Sequence, residues 1–377
     1  MTVEGFRMTI LQASFRAEAK NFSSSDFGLN GYGFGKMSHY QILNGRRQMF
    51  SAGRIIFSVV LAVTFLMAPP TRAEKIRTAV PGLNLNYLSV FAAEERNFFR
   101  DEGLENETIV IGGPAGIAAL VSGDVDYSGA GGSGLRAAVK GAPLKAIMYQ
   151  TEKPTWYLIV HPSINQVSDL KGKKIGVALI GDSEDRFTTL FVERAGLSAK
   201  DVTKISLGTN PGDKILALKS GGISAVVLDP AATVMAEREG LRSLVYLGDI
   251  FPLPFQGYVT TDRKISENPA QVKRWIKAMV RSLMFLRERP EEATEVALKR
   301  LRFRNITRPM LTDAIKSYVR AFPQGIPGMP SPEGVKNILE YEVRLPMKME
   351  ETLTAEKLLD LRWVEEVKKE LSQKVSK

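Results

Sequence analysis

Three glycine-bearing stretches carry the chemistry most easily read from this chain: Gly112-Gly113-Pro114, Gly131-Gly132-Ser133 and Gly181-Asp182-Ser183. Each follows an apolar run and opens a helical pattern. Backbone N–H groups at a helix start bind anions, aided by the helix dipole. Glycine lets the backbone approach a ligand, and Ser133 and Ser183 add hydroxyl donors. A fourth loop, Pro81 to Tyr87, brings Asn86 and Tyr87. The glycine loops with Ser133 and Ser183 suit the oxygens of a nitrate, sulfonate or carboxylate, which makes Asn86, Tyr87, Gly113, Pro114, Gly132, Ser133, Asp182 and Ser183 ligand-binding candidates, Tyr87 through its aromatic face. The same glycines also serve as turns, and the serines as helix caps. Trp156 and Tyr157 offer flat faces to the organic part of a ligand, or to a core. Asp229, at a strand end before Pro230, reads either as an acceptor for a ligand amine or hydroxyl or as an N-cap. Asp126 reads as fixing a strand start, and His161 as structural.

Other chemistries lack material. The chain has no cysteine, which removes disulfides, thiolate metal sites, a cysteine nucleophile and a lipidated-cysteine anchor. It has two histidines, His39 and His161, too few for a histidine metal cluster. Gly112 to Gly116 lacks the Gly-Lys-Ser/Thr ending of an NTPase phosphate loop. No catalytic residue, metal ligand or cofactor is therefore expected. The formal charge of +10 first suggests nucleic acid. However, the first 73 residues hold 8 of the Lys+Arg and only 3 of the acids, so half of that excess belongs to them. No basic run or nucleic-acid motif follows, and no nucleic-acid partner is expected.

Those first 73 residues differ from the rest. Residues 1–48 have no sustained period and read as an extension outside the folded protein. Within 49–73, Arg54 and the preceding Arg46 and Arg47 lead into an apolar run from Ile55 to Met67, closed by small residues up to Ala73. This is the pattern of a secretory signal, with Met49 as a start. The run is too short for a comfortable membrane span.

From residue 74 onward strands and helices alternate, which predicts a largely parallel βαβ sheet. Strands are expected at 75–80, 108–111, 126–130, 144–150 and 157–160, with helices at 87–99, 115–121 and 133–140 between them. A second block carries a turn leading into a strand over 170–179, then strands at 202–207, 223–228, 244–247 and 256–261. After 261 the chain reads as helical, starting at Asn268-Pro269 with Gln271 as a capping residue.

Several phrases in this order resemble a known family. Val121 to Tyr127 with Gly129, Gly141 to Lys145, Val167 to Val177, and Gly221 to Pro230 are similar to segments of ABC-transporter substrate-binding proteins of the nitrate/sulfonate/taurine (SsuA-like) group. The resemblance covers about 75 to 345. Ser224 departs from an aspartate common in that group. The resemblance implies an α/β, type II periplasmic binding protein fold: two lobes joined by two crossover strands, with a helical C-terminal segment. Residues 74–160 plus 261–377 would form lobe 1 and 161–260 lobe 2, with crossovers near 157–161 and 256–261. It further implies a monomeric, non-enzymatic periplasmic protein, not lipid-anchored, that hands a small solute to an ABC permease and its ATPase. A related branch makes a thiamine pyrimidine precursor; some of its synthases depend on a cysteine-rich motif and histidines, which this chain lacks.

Overall fold

The computed structural model describes residues 73–303, 306–350 and 353–375. The extension and all of the signal segment but Ala73 lie outside the described residues. Two five-stranded sheets organise the rest. The first contains β1 (Glu74–Val80), β2 (Leu104–Val110), β3 (Tyr127–Ser128) and β4 (Leu144–Thr151), joined by the returning β10 (Phe255–Thr261). Its order is β2-β1-β3-β10-β4, with β10 antiparallel to its neighbours. The second contains β5 (Tyr157–Val160), β6 (Lys174–Val177), β7 (Thr203–Ser206), β8 (Ala225–Leu228) and β9 (Arg242–Tyr246), in the order β7-β6-β8-β5-β9. Here β5 is the antiparallel member. Each sheet thus takes in one strand that has just crossed from the other lobe, and runs antiparallel there.

This moves the expected boundaries. β5 belongs to the second sheet and β10 to the first, so the chain crosses at 152–156 and 247–254, not at 157–161 and 256–261. The apolar strand residues look alike in either sheet, so their sequence alone does not assign them. The two crossings touch: Leu247 N donates to the Trp156 carbonyl, 2.8 Å. A Cβ on Gly248 would collide with the Pro154 carbonyl.

The helices around the site are fixed by local signals. α1 (Leu88–Glu95) is shorter than expected because Asn97 adopts a left-handed conformation, φ 59°. α2 (Gly113–Ser122) ends at Gly123, φ 89°, a position that favours glycine. α3 (Gly131–Val139) follows β3, and a Cβ on Gly131 would run into the Gly257 backbone. In the second lobe, α4 (Ser183–Arg194), α5 (Pro211–Lys219) and α6 (Pro230–Arg238) are capped by Asp182, Asn210 and Asp229.

After β10 the chain returns to the first lobe as helices. α7 (Pro269–Glu288) buries Val272, Trp275, Ile276, Met279, Val280, Leu283 and Leu286 in its core. Trp275 stacks on Tyr127 at 4.4 Å. Asn268 makes no side-chain cap; Gln271 instead holds the helix to the sheet, accepting from Tyr127 Oη at 3.0 Å and donating to Glu74 at 2.7 Å. Further on, α8 (Pro332–Ile338) runs into a π-helical turn, Leu339–Arg344. This arm lies along both crossings. Ser331 N donates to Glu152, 3.1 Å, and Asn337 Nδ2 donates to the Pro252 carbonyl, 2.6 Å. Tyr341 packs edge-on against Phe251 of the second lobe's core, 5.9 Å between rings.

Candidate functional site

The loops singled out by their glycines converge between the sheets. They line a cavity of about 80 Å³ that is partly open to solvent. Lobe 1 contributes Asn86, Tyr87, Gly113, Gly132, Ser133 and Tyr149, and lobe 2 contributes Asp182, Ser183, Glu184, Thr209 and Lys214. Trp156 enters from the first crossing, Gln256 from the start of β10, and Glu342 from the π-helical turn.

The lobes meet at its edges. The Leu85 N–H donates to Asp229 Oδ2 across the cleft, 2.9 Å and buried. Arg136 Nη2 donates to the Gly181 carbonyl at 3.2 Å. A Cβ on Gly132 would collide with Ser183 Oγ and the Glu342 carboxylate, and one on Gly112 would collide with Leu179. Bare glycine lets the two walls come this close.

The walls differ chemically. On lobe 1, α2 and α3 start without a side-chain cap. The N–H groups of a first helical turn have no intrahelical partner, so Gly113, Gly132 and Ser133 bring unpaired donors to the cavity. On lobe 2 the helix starts are already filled. Asp182 accepts from Asp185 N at 2.9 Å and Leu179 N at 3.2 Å, and Asp229 accepts from Ala232 N at 2.8 Å. Neither serine is a cap; Ser183 is the first residue of α4 and Ser133 lies inside α3. Uncapped helix starts, the feature expected on both lobes, therefore face the cavity from lobe 1 only. On the other, the chain's own carboxylates stand where ligand oxygens were expected.

Three carboxylates and one ammonium line the cavity. Lys214 Nζ sits 2.7 Å from both Glu184 oxygens. Arg136, just behind, holds Glu342 Oε2 at 2.9 Å, both side chains buried. Burial pushes Glu184 up to about 7, against the pull of Lys214. Burial likewise raises Asp182, Asp229 and Glu342 above the ordinary carboxylate range. Tyr149 Oη is buried with no hydrogen-bond partner.

Eight of the ten sequence candidates line this cavity: Asn86, Tyr87, Gly113, Gly132, Ser133, Trp156, Asp182 and Ser183. Pro114 is exposed beside it, and Asp229 lies at its edge as a cap and cross-lobe acceptor. Tyr157 packs on Tyr246 in the second sheet, 4.7 Å between rings. His161 Nδ1 pairs with Ser163 Oγ at 2.9 Å, outside the cavity. Asp126 accepts from Arg77 N at 2.8 Å and pairs with Lys264, as a strand-end residue. Glu184, Lys214, Tyr149, Gln256 and Glu342 were not foreseen. Only Glu184 had a sequence signal, its place next to Gly181-Asp182-Ser183. Gln256 carries a backbone signal, φ 57°, unusual for a non-glycine residue. Among the described residues no group of histidine, cysteine, aspartate and glutamate has metal-holding geometry.

Known proteins share this fold. The chain is similar to a putative binding protein of Brucella suis, 27% identical over 66% of this chain and 79% of that protein. Its fold matches the periplasmic aliphatic sulphonate-binding protein SsuA of Escherichia coli, TM-score 0.60 at 18% identity, over 76% of this chain and 92% of that one. It also matches the periplasmic nitrate-binding protein NrtA of Synechocystis, TM-score 0.60 at 11% identity, over 79% and 89%. The family model described as NMT1/THI5 like matches residues 84–293, more than half of the chain, and the protein belongs to that family.

Proposed function

We propose that this chain is the extracytoplasmic solute-binding subunit of an ABC importer. It captures a small solute between its lobes and delivers it to a membrane permease driven by an ATPase. The cavity between the lobes, bordered by the Leu85–Asp229 and Arg136–Gly181 bonds, carries this reading. Two lobes joined by two short crossings close by hinge motion, and bonds made only between lobes reward closure. The N–H groups of Gly113, Gly132 and Ser133 would receive acceptor oxygens of the solute, as in a sulfonate, nitrate, taurine or related organic acid. Trp156 and Tyr87 would bound its apolar part. The protein would act as a periplasmic monomer after cleavage near Glu74, which N-terminal sequencing of the exported product checks. A pyrimidine-synthase reading has less support, because the chain has no cysteine and His161 lies outside the cavity. The deciding experiment is native mass spectrometry of the purified protein for a co-purified solute, with small-angle scattering before and after its removal. A scattering curve unchanged by solute removal would refute capture by closure.

A further inference from the structure

We propose that the solute carries a basic nitrogen opposite its acceptor oxygens, and that Asp182, Glu342 and Tyr149 receive it. This rests on the solute-binding reading and names the class of solute.

The cavity lining has more carboxylates than cations. Lys214 is committed to Glu184, and Arg136 to Glu342 Oε2. Asp182 has no side-chain partner of its own: it accepts from two backbone N–H groups and feels the Lys214 charge only through space. Glu342 retains Oε1, which has no hydrogen bond from the chain. An isolated buried carboxylate is costly unless paired. The raised proton affinities of Asp182 and Glu342 express that cost. A simple oxyanion would add a further negative charge to this wall, whereas a protonated amine would neutralise it.

Tyr149 adds a polar group that the chain itself leaves unused. It is 3% exposed, lines the cavity, and its hydroxyl has no partner. Buried polar atoms are ordinarily hydrogen-bonded, so this oxygen is left for a ligand. Its hydroxyl is close enough for the Glu342 charge to raise it further. An N–H donor placed between Tyr149 Oη, Glu342 and Asp182 would satisfy all three. The N–H groups of Gly132 and Ser133, on the adjacent wall, would hold the acceptor end of the same molecule.

The experiment compares matched pairs by calorimetric titration of the purified full chain freed of co-purified solute: ethanesulfonate against 2-aminoethanesulfonate, propionate against 3-aminopropionate, with nitrate as the simple oxyanion. The amino member of at least one pair is expected to bind tenfold or more tightly than its partner. Asp182→Asn, which keeps the cap on α4, should lower that affinity about tenfold and leave the partner's within threefold. Tyr149→Phe, which keeps the ring and its packing, should weaken amine binding with no loss of thermal stability; a packing role alone would leave amine binding unchanged. Equal or tighter binding of ethanesulfonate, propionate or nitrate overturns the inference and leaves the solute-binding reading intact. Should no probe bind, the co-purified solute decides: a basic nitrogen in it supports the inference and its absence overturns it. No probe binding and no co-purified solute would overturn both readings.

Discussion

Asp229 offers a way to separate closure from folding. Its Oδ1 caps α6 within lobe 2, and its Oδ2 takes the Leu85 N–H from lobe 1. The cap exists whether the lobes are open or closed; the Leu85 bond exists only when they are closed. Asp229→Ala removes both. Loss of the cap costs about 0.5–2 kcal/mol of stability in either state. Loss of a hydrogen bond to a charged acceptor costs about 1.5–3 kcal/mol, here of closure alone. At about 1.4 kcal/mol per factor of ten, the closed population should fall roughly 10- to 150-fold relative to the open one. Asp229→Asn keeps a capping oxygen on Ala232 but turns an amide toward Leu85. It should therefore lose closure while its melting temperature stays near that of the wild type. Interlobe fluorescence transfer reads this directly, with dyes on Lys140→Cys and Lys200→Cys, both exposed positions. No native cysteine competes for label. Wild-type transfer efficiency in both Asp229 variants would show that the Leu85 contact contributes nothing to closure and would refute the reasoning.

Other expectations follow from the same geometry. Ser133→Ala and Ser183→Ala should each change folding stability by less than about 0.5 kcal/mol, since neither is a cap; a thermal melt showing more would contradict their place beside the cavity. Glu184 holds its proton to about 7 when folded against an ordinary 4.5. Between those values the folded state binds more protons than the unfolded, so stability falls as pH rises through that window, by up to about 1.4 kcal/mol per pH unit. Asp182 and Asp229, raised by burial, act in the same direction, and Lys214 opposes them. Urea titrations from pH 4.5 to 7 should give a shallower slope for Glu184→Gln than for the wild type; equal slopes would rule Glu184 out as the source. Gly248→Val should destabilise the protein by pressing a side chain onto the Pro154 carbonyl, on the order of 1–3 kcal/mol, and a melt unchanged by this substitution would mean the crossings part easily.

The fold was legible where local signals are strong. Alternating apolar runs and glycine stops placed the strands, and Asp182 and Asp229-Pro230 marked true helix starts. What local patterning left open was membership: β5 and β10 are apolar strands that would suit either sheet, and long-range pairing decides. In the site, the glycine loops were readable because close approach demands glycine. The serines' roles were not, because Ser183 and Ser133 sit one and three places beyond the positions that cap. Lys214 and Glu342 were invisible for a different reason. Each lies inside a helical segment that reads as an ordinary amphipathic face, and its partner is 30 or more residues away in the chain.

The arm from Ser331 to Arg344 gives the molecule an order of completion. Residues 74–261 contain every strand of both sheets, yet the cavity they outline lacks its Glu342 wall. Both crossings also lack the Ser331 and Asn337 contacts that brace them. A chain made from its N-terminus has every strand of both sheets before the last charged group of the cavity arrives with the arm. A chain cut short before the arm loses that wall together with Ile338, Leu339 and Val343 from the first lobe's packing, so the cavity and the core beneath it are completed by the same late segment.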